Sequence, residues 1–389
     1  MQSTALVVWG KQVGRPRPVH GRRTRRTSIL VRTGSRLGRA VFACAFCTGL
    51  LLLSVAAFAQ EKLGSVAYLE GDVSLVRDGA QVDNLAIGAD LQNFDLVKTG
   101  SDGLAELDVN SAQSPRITIR VSADTQFSLE MATIAGRQQT TLGIIGGSIS
   151  LKAARLAGTQ ALSVKTDSAA MGVRGTEFDV TSPATGDVLV TCNEGEVVVT
   201  DDQGKELHAI PGTVVEKRPA ELYRTVPVEV SGLRTFRGQW AAERGQALEK
   251  NALKLIQANV RLYNRLVREL NAGHAELDKY RETISGWREE DRRARAGQRA
   301  EIAKDRQAIG SLLARLRRTQ FQLERVHFRL ARLMAIHNRG IGQGTLDGGV
   351  STAQFFERFV KERKDVEDKL YLTRSVSKMY LRRNDGRLP

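Results

Sequence analysis

The spacing of apolar residues changes near Trp240, and this change predicts two fold types within one chain. Upstream, from Gly64 to Val226, short β-branched runs are separated by Gly, Asp and Asn at a spacing of roughly 8–12 residues, which is typical of an all-β domain. Downstream, apolar residues recur every three or four positions, which is typical of long α-helices. The sequence therefore predicts an α+β multidomain protein. Its all-β domain, a β-roll or solenoid-like arrangement or a sandwich, is followed by helices.

The helical part contains two seams with a/d spacing. The second seam runs from Ile302 to His337, and the first passes through Leu253, Ile256, Val260, Tyr263, Val267, Leu270, His274, Leu277 and Ile284. The polar, arginine-rich segment 289–297 between them predicts a turn, so residues 231–340 are expected to form a long antiparallel coiled-coil hairpin. Residues 341–389 are interpreted as a Gly-rich linker and a C-terminal helix, which a capping box at Ser351 and Gln354 opens.

The β-rich part contains an internal repeat. The motif E-G-[DE]-V occurs at residues 70–73 and again at 194–197, and each copy is followed by a polar turn. A weaker third copy begins at Gly146 and Gly147. Because glycine before a strand permits a positive φ or a close backbone approach, the repeat predicts corners of a sheet that rolls or stacks on itself.

Residues 170–180 read AMGVRGTEFDV, and this run is similar to the A-V-R-G-T-x-F-x-V core of the FecR family. Supporting motifs occur in the family's order, with E-G-D-V at 70–73, D-L-V-K-T-G at 95–100 and E-G-E-V at 194–197. The resemblance covers roughly residues 61–225, within a β-domain assigned to residues 61–230, and implies an extracytoplasmic β-rich module that transmits signals or organises partners. Within the core, Arg174, Gly175, Thr176 and Phe178 are candidates for a fold-defining turn or a partner-binding motif.

The best-known members of this family span the inner membrane and couple an outer-membrane iron–siderophore receptor to a sigma factor. Those regulators carry a cytoplasmic anti-sigma domain ahead of the membrane span. Here residues 1–40 are an Arg-rich tail with few apolar positions, and the helical C-terminal half is foreign to those regulators.

Residues 41–59 form an uncharged apolar run that follows a cluster of arginines. Small residues at its end, Ala57 and Ala59, predict a signal peptide cleaved before Gln60. The run is also about long enough to remain as an inner-membrane anchor. Either alternative, secretion or anchoring, places the rest of the chain in the periplasm or otherwise outside the cytoplasm.

The formal net charge of +15 is unevenly distributed along the chain. Residues 1–60 carry +10, residues 61–230 carry −10 and residues 231–389 carry +15. Three interpretations of the basic helices remain open: a solvated helical face, a surface for anionic lipid or cell-wall polymer, and docking onto the acidic β-domain. The expected partners are an envelope protein or an anionic cell-surface polymer, with self-association through the helices as a further possibility. Nucleic acid is disfavoured because export separates the protein from it.

The sequence contains no recognisable catalytic or metal-binding motif, and we expect neither a cofactor nor a metal. Cys192 is interpreted as a buried strand residue, and the exported histidines are His208, His274, His327 and His337. The favoured hypothesis is a non-catalytic binding and scaffold protein of the bacterial cell envelope. A membrane-anchored FecR-type signalling regulator is the alternative, and a cell-wall glycan hydrolase is a third, less favoured one.

Overall fold

The computed structural model describes residues 62–110, 116–154, 161–173, 175–218, 221–293 and 302–389. Within these residues the chain forms seventeen β-strands, followed by five α-helices. The strands are β1 (Lys62–Glu70), β2 (Val73–Arg77), β3 (Ala80–Gln81), β4 (Asp90–Gln92), β5 (Leu96–Thr99), β6 (Leu104–Val109), β7 (Ile117–Val121), β8 (Gln126–Ile134), β9 (Arg137–Ala153), β10 (Ala161–Lys165), β11 (Ala169–Val173), β12 (Glu177–Ser182), β13 (Val188–Glu194), β14 (Val197–Asp201), β15 (Glu206–Ala209), β16 (Thr213–Lys217) and β17 (Arg224–Pro227).

The strands form two sheets that share β9. Sheet A has the order β17-β16-β13-β12-β9-β7-β6-β1-β4, and sheet B has the order β3-β2-β5-β8-β9-β10-β11-β14-β15. The first half of β9 pairs within sheet B, parallel to β10, and its second half pairs within sheet A. Inward side chains of both sheets, such as Leu107, Leu142 and Phe178, belong to one continuous core. The all-β domain is therefore a sandwich.

The repeated glycines lie where the chain passes between the two sheets. Gly71, with φ 64°, connects β1 of sheet A to β2 of sheet B, and Gly195, with φ 83°, connects β13 to β14 in the same way. Gly147, with φ 101°, lies where β9 itself changes sheets. A Cβ at Gly71 would overlap the carbonyl of Asp102, and one at Gly147 would overlap Thr125. The repeat predicted from sequence thus marks the corners of the sandwich.

The helices are α1 (Leu233–Lys250), α2 (Ala252–Leu277), α3 (Arg281–Arg292), α4 (Ile302–His337) and α5 (Thr352–Arg382). Helix α1 packs on the outer face of sheet A, where Leu233 and Trp240 contact Leu189 and Val214. The predicted hairpin region therefore begins with a helix that covers the β-domain. A short 3-10 turn over Asp278–Tyr280 separates α2 from α3.

Helices α2 to α5 share a second core. Helix α4 runs antiparallel to α2, as the contacts of Arg315 with Glu276 and of Thr319 with Glu269 require. Helix α5 packs against both α2 and α4, and these three helices form one layer. Its N-terminus has the capping box expected from sequence, because Ser351 accepts from the backbone of Gln354 and the Gln354 side chain accepts in return.

The predicted export segment and the cleavage residues Ala57, Ala59 and Gln60 lie outside the described residues. Among the helices that the structure does describe, none is both long enough and apolar enough to cross a bilayer.

Candidate functional site

The motif that suggested a family resemblance forms a buried corner. Gly175 has φ 62° and lies between β11 of sheet B and β12 of sheet A, whereas Arg174 is outside the described residues. The Thr176 carbonyl accepts from Ala153 N at 2.9 Å, and the Phe178 ring is fully buried in the sandwich core. Thr176 and Phe178 are thus buried within the fold, whereas Gly175 is half-buried at the corner.

The corners of the two motif regions also touch each other. A Cβ at Gly195 would lie 2.7 Å from the Thr176 methyl carbon and 2.9 Å from the Gly175 carbonyl oxygen. Glycine is therefore required at residue 195 both by its positive φ and by this close approach.

The outer face of sheet B is covered by α4 and α5. Two glycines of β9 make room for α4: a Cβ at Gly143 would lie 3.0 Å from the Phe321 ring, and one at Gly146 would overlap the Phe328 ring. Because Phe321 and Phe328 are two helical turns apart, they lie on the same face of α4. Phe328 also packs with Leu96 and Ile145 of the sheet. The aromatic rings of α4 thus occupy the space that these two glycines leave on the surface of sheet B.

Arg325 lies between these two rings and is 3 % exposed. Its guanidinium donates to the Ile144 carbonyl at 3.0 and 3.1 Å and to the Lys165 carbonyl at 3.4 Å, where the parallel β9–β10 pairing ends. It also lies 3.6 Å from the centroid of the Phe321 ring. Burial lowers the pKa of Arg325 to about 9, so the side chain remains charged at neutral pH. Arg325 therefore donates hydrogen bonds to strand-end carbonyls that the helix layer would otherwise bury without a donor.

Ion pairs cross the same interface, each joining a basic helix residue to an acidic residue of the β-domain. They are Arg317–Glu130, Arg329–Asp167, Arg332–Asp124 and Lys378–Asp78. The two Arg317–Glu130 contacts are both 2.9 Å, a bidentate geometry. Docking of the basic helices onto the acidic β-domain, one of the three interpretations of the charge distribution, is the arrangement that the structure has.

Among the described residues, no helix covers the part of the outer face of sheet A that lies beyond α1. One row of paired residues crosses five strands through Tyr68, Glu106, Arg120, Ser150 and Asp179. Tyr68 is 42 % exposed and Arg120 is exposed. At the far end of the row, Asp179 pairs with Arg237 of α1.

A second row runs beside the first through Ser65, Asp108, Thr118, Lys152 and Glu177. Thr118 donates to Asp108 at 2.8 Å, and Lys152 pairs with Glu177 at 3.2 Å. Together the two rows, which we call the open face, present carboxylates, hydroxyls and cations on neighbouring strands of sheet A.

A family model described as FecR protein matches residues 95–198, from the start of β5 to β14, and so includes strands of both sheets. The β-domain is a FecR domain. Strands β1–β4 and β15–β17 complete the two sheets of the FecR domain outside the matched residues. No curated protein matches the chain.

Two crystal structures of a protein assigned as an anti-sigma factor from Parabacteroides distasonis ATCC 8503 are similar to this chain. They are 14% and 12% identical to it, each with a TM-score of 0.29, and they match 35% and 36% of its length. The chain in turn spans 61% and 63% of the length of those two structures.

Cys192 and the four described histidines are each buried or hydrogen-bonded to a single side chain. Burial raises the pKa of the Cys192 thiol in the FecR domain to about 11, and burial lowers the pKa of His327 in α4 to about 4. His274 and His337 share hydrogen bonds of 2.9 Å with Thr373 and Thr352. The described residues include no group of three His, Cys, Asp or Glu arranged to hold a metal ion.

Sequence reasoning missed the residues that join the FecR domain to the helices. Gly143 and Gly146 interrupt an otherwise β-branched strand, which indicates a close approach of another element. Phe321 and Phe328 lie off the apolar seam of α4, seven residues apart. These two irregularities are the signals in the sequence from which the interface could have been predicted.

Proposed function

We propose that this chain is a non-catalytic extracytoplasmic protein that acts as a binding and scaffold module in the bacterial cell envelope. The observation that carries the proposal is the unequal covering of the FecR domain. Helices α4 and α5 cover sheet B, whereas the open face of sheet A carries exposed polar side chains on paired strands. A partner that recognises the folded FecR domain therefore has the open face available to it.

The chemistry of the open face favours a protein partner. It combines the carboxylates of Glu106, Asp108 and Glu177 with the cations of Arg120 and Lys152. The acidic residues outnumber the basic ones, so an anionic polymer would be repelled here, whereas a polar protein surface can match charges of both signs. An anionic cell-surface polymer fits better on the exposed cations of the helices, and self-association through the helices remains a separate proposal.

The alternative is a FecR-type signalling regulator held in the inner membrane by residues 41–59. What supports it is the FecR domain together with the apolar run that precedes it in sequence. N-terminal sequencing of the protein recovered from cell envelopes separates the two. A new N-terminus at Gln60 supports the secreted scaffold, whereas an intact N-terminus in the inner-membrane fraction supports the anchored regulator.

Site-specific photo-crosslinking in intact cells tests the open face as the partner site. A photoreactive residue in place of Tyr68 or Arg120 should give one discrete crosslinked species. A photoreactive residue at Ile134, which is 47 % exposed at the β8–β9 turn, serves as the control. Adding Lys152→Glu should abolish the Tyr68 crosslink. Crosslinks of equal yield at all three positions, or none at Tyr68 and Arg120, would contradict the proposal.

The hydrolase alternative has its own test. Turnover of purified cell-wall glycan by the protein, lost when a single acidic residue of the open face is replaced by its amide, would favour that function over scaffolding.

A further inference from the structure

A cavity of about 480 Å³ lies between sheet B and the helices, beside the interface described above. Its walls include Phe94, which precedes β5, and Phe321 of α4. Gly143 of β9 also lines the cavity, next to the Phe321 ring that packs against it. This volume is within the range of roughly 300–1,000 Å³ that is usual for small-molecule sites.

Four basic side chains line the cavity, and two of them are neutralised. Arg317 pairs with Glu130 through two contacts of 2.9 Å, and Arg374 pairs with the buried Glu324 at 2.6 Å. Both side-chain carboxylates at the cavity, those of Glu130 and Glu324, are therefore already engaged by arginines, and the last residue, Pro389, also lines the cavity.

The other two basic residues are Lys165, at the end of β10, and Arg318 of α4. Across the described residues, neither side chain has a hydrogen bond or an ion pair. This differs from the rest of the interface, where Arg317, Arg329 and Arg332 each pair with an acidic residue of the FecR domain. Two unmatched positive charges thus converge on one cavity with aromatic walls.

We infer that this cavity binds an organic anion in which a carboxylate, sulfonate or phosphate group is attached to a flat apolar body. Lys165 and Arg318 supply the charge-assisted hydrogen bonds to the anionic group, and Phe94 and Phe321 contact the apolar body. Because Lys165 belongs to the FecR domain and Arg318 to α4, the ligand bridges the two and stabilises their association. The inference does not depend on the partner proposed for the open face.

Binding of 1-anilinonaphthalene-8-sulfonate to the purified full chain tests this inference. We expect saturable, one-site fluorescence enhancement by this aromatic sulfonate. The double variant K165A/R318A should weaken its affinity by at least about tenfold, because it removes two charged donors. The matched control K254A/R268A removes one lysine and one arginine that are exposed on α2, away from the cavity, and should leave the affinity unchanged.

Two further measurements separate loss of the site from loss of the fold. The charge-retaining variant K165R/R318K should bind the sulfonate within about threefold of the wild type. The uncharged analogue N-phenyl-1-naphthylamine should bind the wild type and K165A/R318A equally. Unsaturable binding of the sulfonate, or an equal loss of affinity in the cavity variant and the control variant, would overturn the inference.

Discussion

At the scale of single residues, the contact between the FecR domain and the helices depends on two glycines of β9 that carry no side chain. Gly143 and Gly146 lack the Cβ atoms that would otherwise meet Phe321 and Phe328. Arg325, between the two rings, supplies donors to the carbonyls of Ile144 and Lys165. Apolar contact and hydrogen-bond satisfaction therefore coincide on one short stretch of β9.

Gly146→Ala should destabilise the protein by roughly 1–3 kcal/mol, because the new methyl group overlaps the Phe328 ring in a packed interface. Urea unfolding monitored by circular dichroism measures the free energy of unfolding. Gly172→Ala in β11 is the control, since a Cβ there meets nothing within 4 Å. The double variant G146A/F328A should lose less than the sum of its two single variants. Additive losses would mean that Gly146 and Phe328 do not interact.

At the scale of elements, α4 packs against other elements on two of its faces. Leu313, Leu323 and Leu330 pack into the helical core, whereas Phe321 and Phe328 pack on sheet B. His327 lies on the side that faces α5, where its ring is 4.8 Å from the centroid of Phe359. A helix covered on both sides in this way buries polar residues that an exposed hairpin would leave in water.

The burial of His327 predicts a pH dependence of stability. Its pKa is lowered to about 4 in the folded protein, chiefly by desolvation, against an ordinary value of 6.5. The unfolded chain therefore takes up the proton first as the pH falls below 6.5. The associated stability is fully present above pH 6.5 and is lost between pH 6.5 and 4, by up to roughly 3 kcal/mol.

Chemical denaturation between pH 4 and 8 measures this dependence, with His327→Gln as the comparison. The difference in unfolding free energy between the wild type and the variant should change across that interval, because all other titrating groups are common to both. A difference that is constant from pH 4 to 8 would contradict the buried neutral imidazole.

At the scale of the whole molecule, the acidic part of the chain and the basic part meet at an internal interface. Helices α4 and α5 meet the acidic FecR domain through four ion pairs, buried aromatic rings and Arg325. The ion pairs are partly exposed, so each contributes only roughly 0.2–1 kcal/mol, and the apolar contacts contribute the larger share. The association should therefore survive high salt.

This arrangement predicts one cooperative thermal transition for the FecR domain and the helices together. Differential scanning calorimetry should give a single peak, and its midpoint should fall only a few degrees between low and high ionic strength. Arg325→Met, which leaves the carbonyls of Ile144 and Lys165 without donors, should broaden or split the peak. Two separate peaks in the wild type would show that the halves unfold independently.

The sequence by itself determined the local features of this protein. These features depend on residues that are neighbours in sequence, so their patterns can be read along the chain. They are the turn residues between strands, the E-G-[DE]-V corners at Gly71 and Gly195, the capping box at Ser351 and the FecR core around Gly175. Only the tertiary structure decided that α4 and α5 cover sheet B and leave part of sheet A open. The reason is physical: Phe321 meets Gly143 and Arg317 meets Glu130 across more than 170 residues, and no local periodicity records which faces will meet. The cavity at Lys165 and Arg318 is a product of that packing and was for the same reason invisible in the sequence.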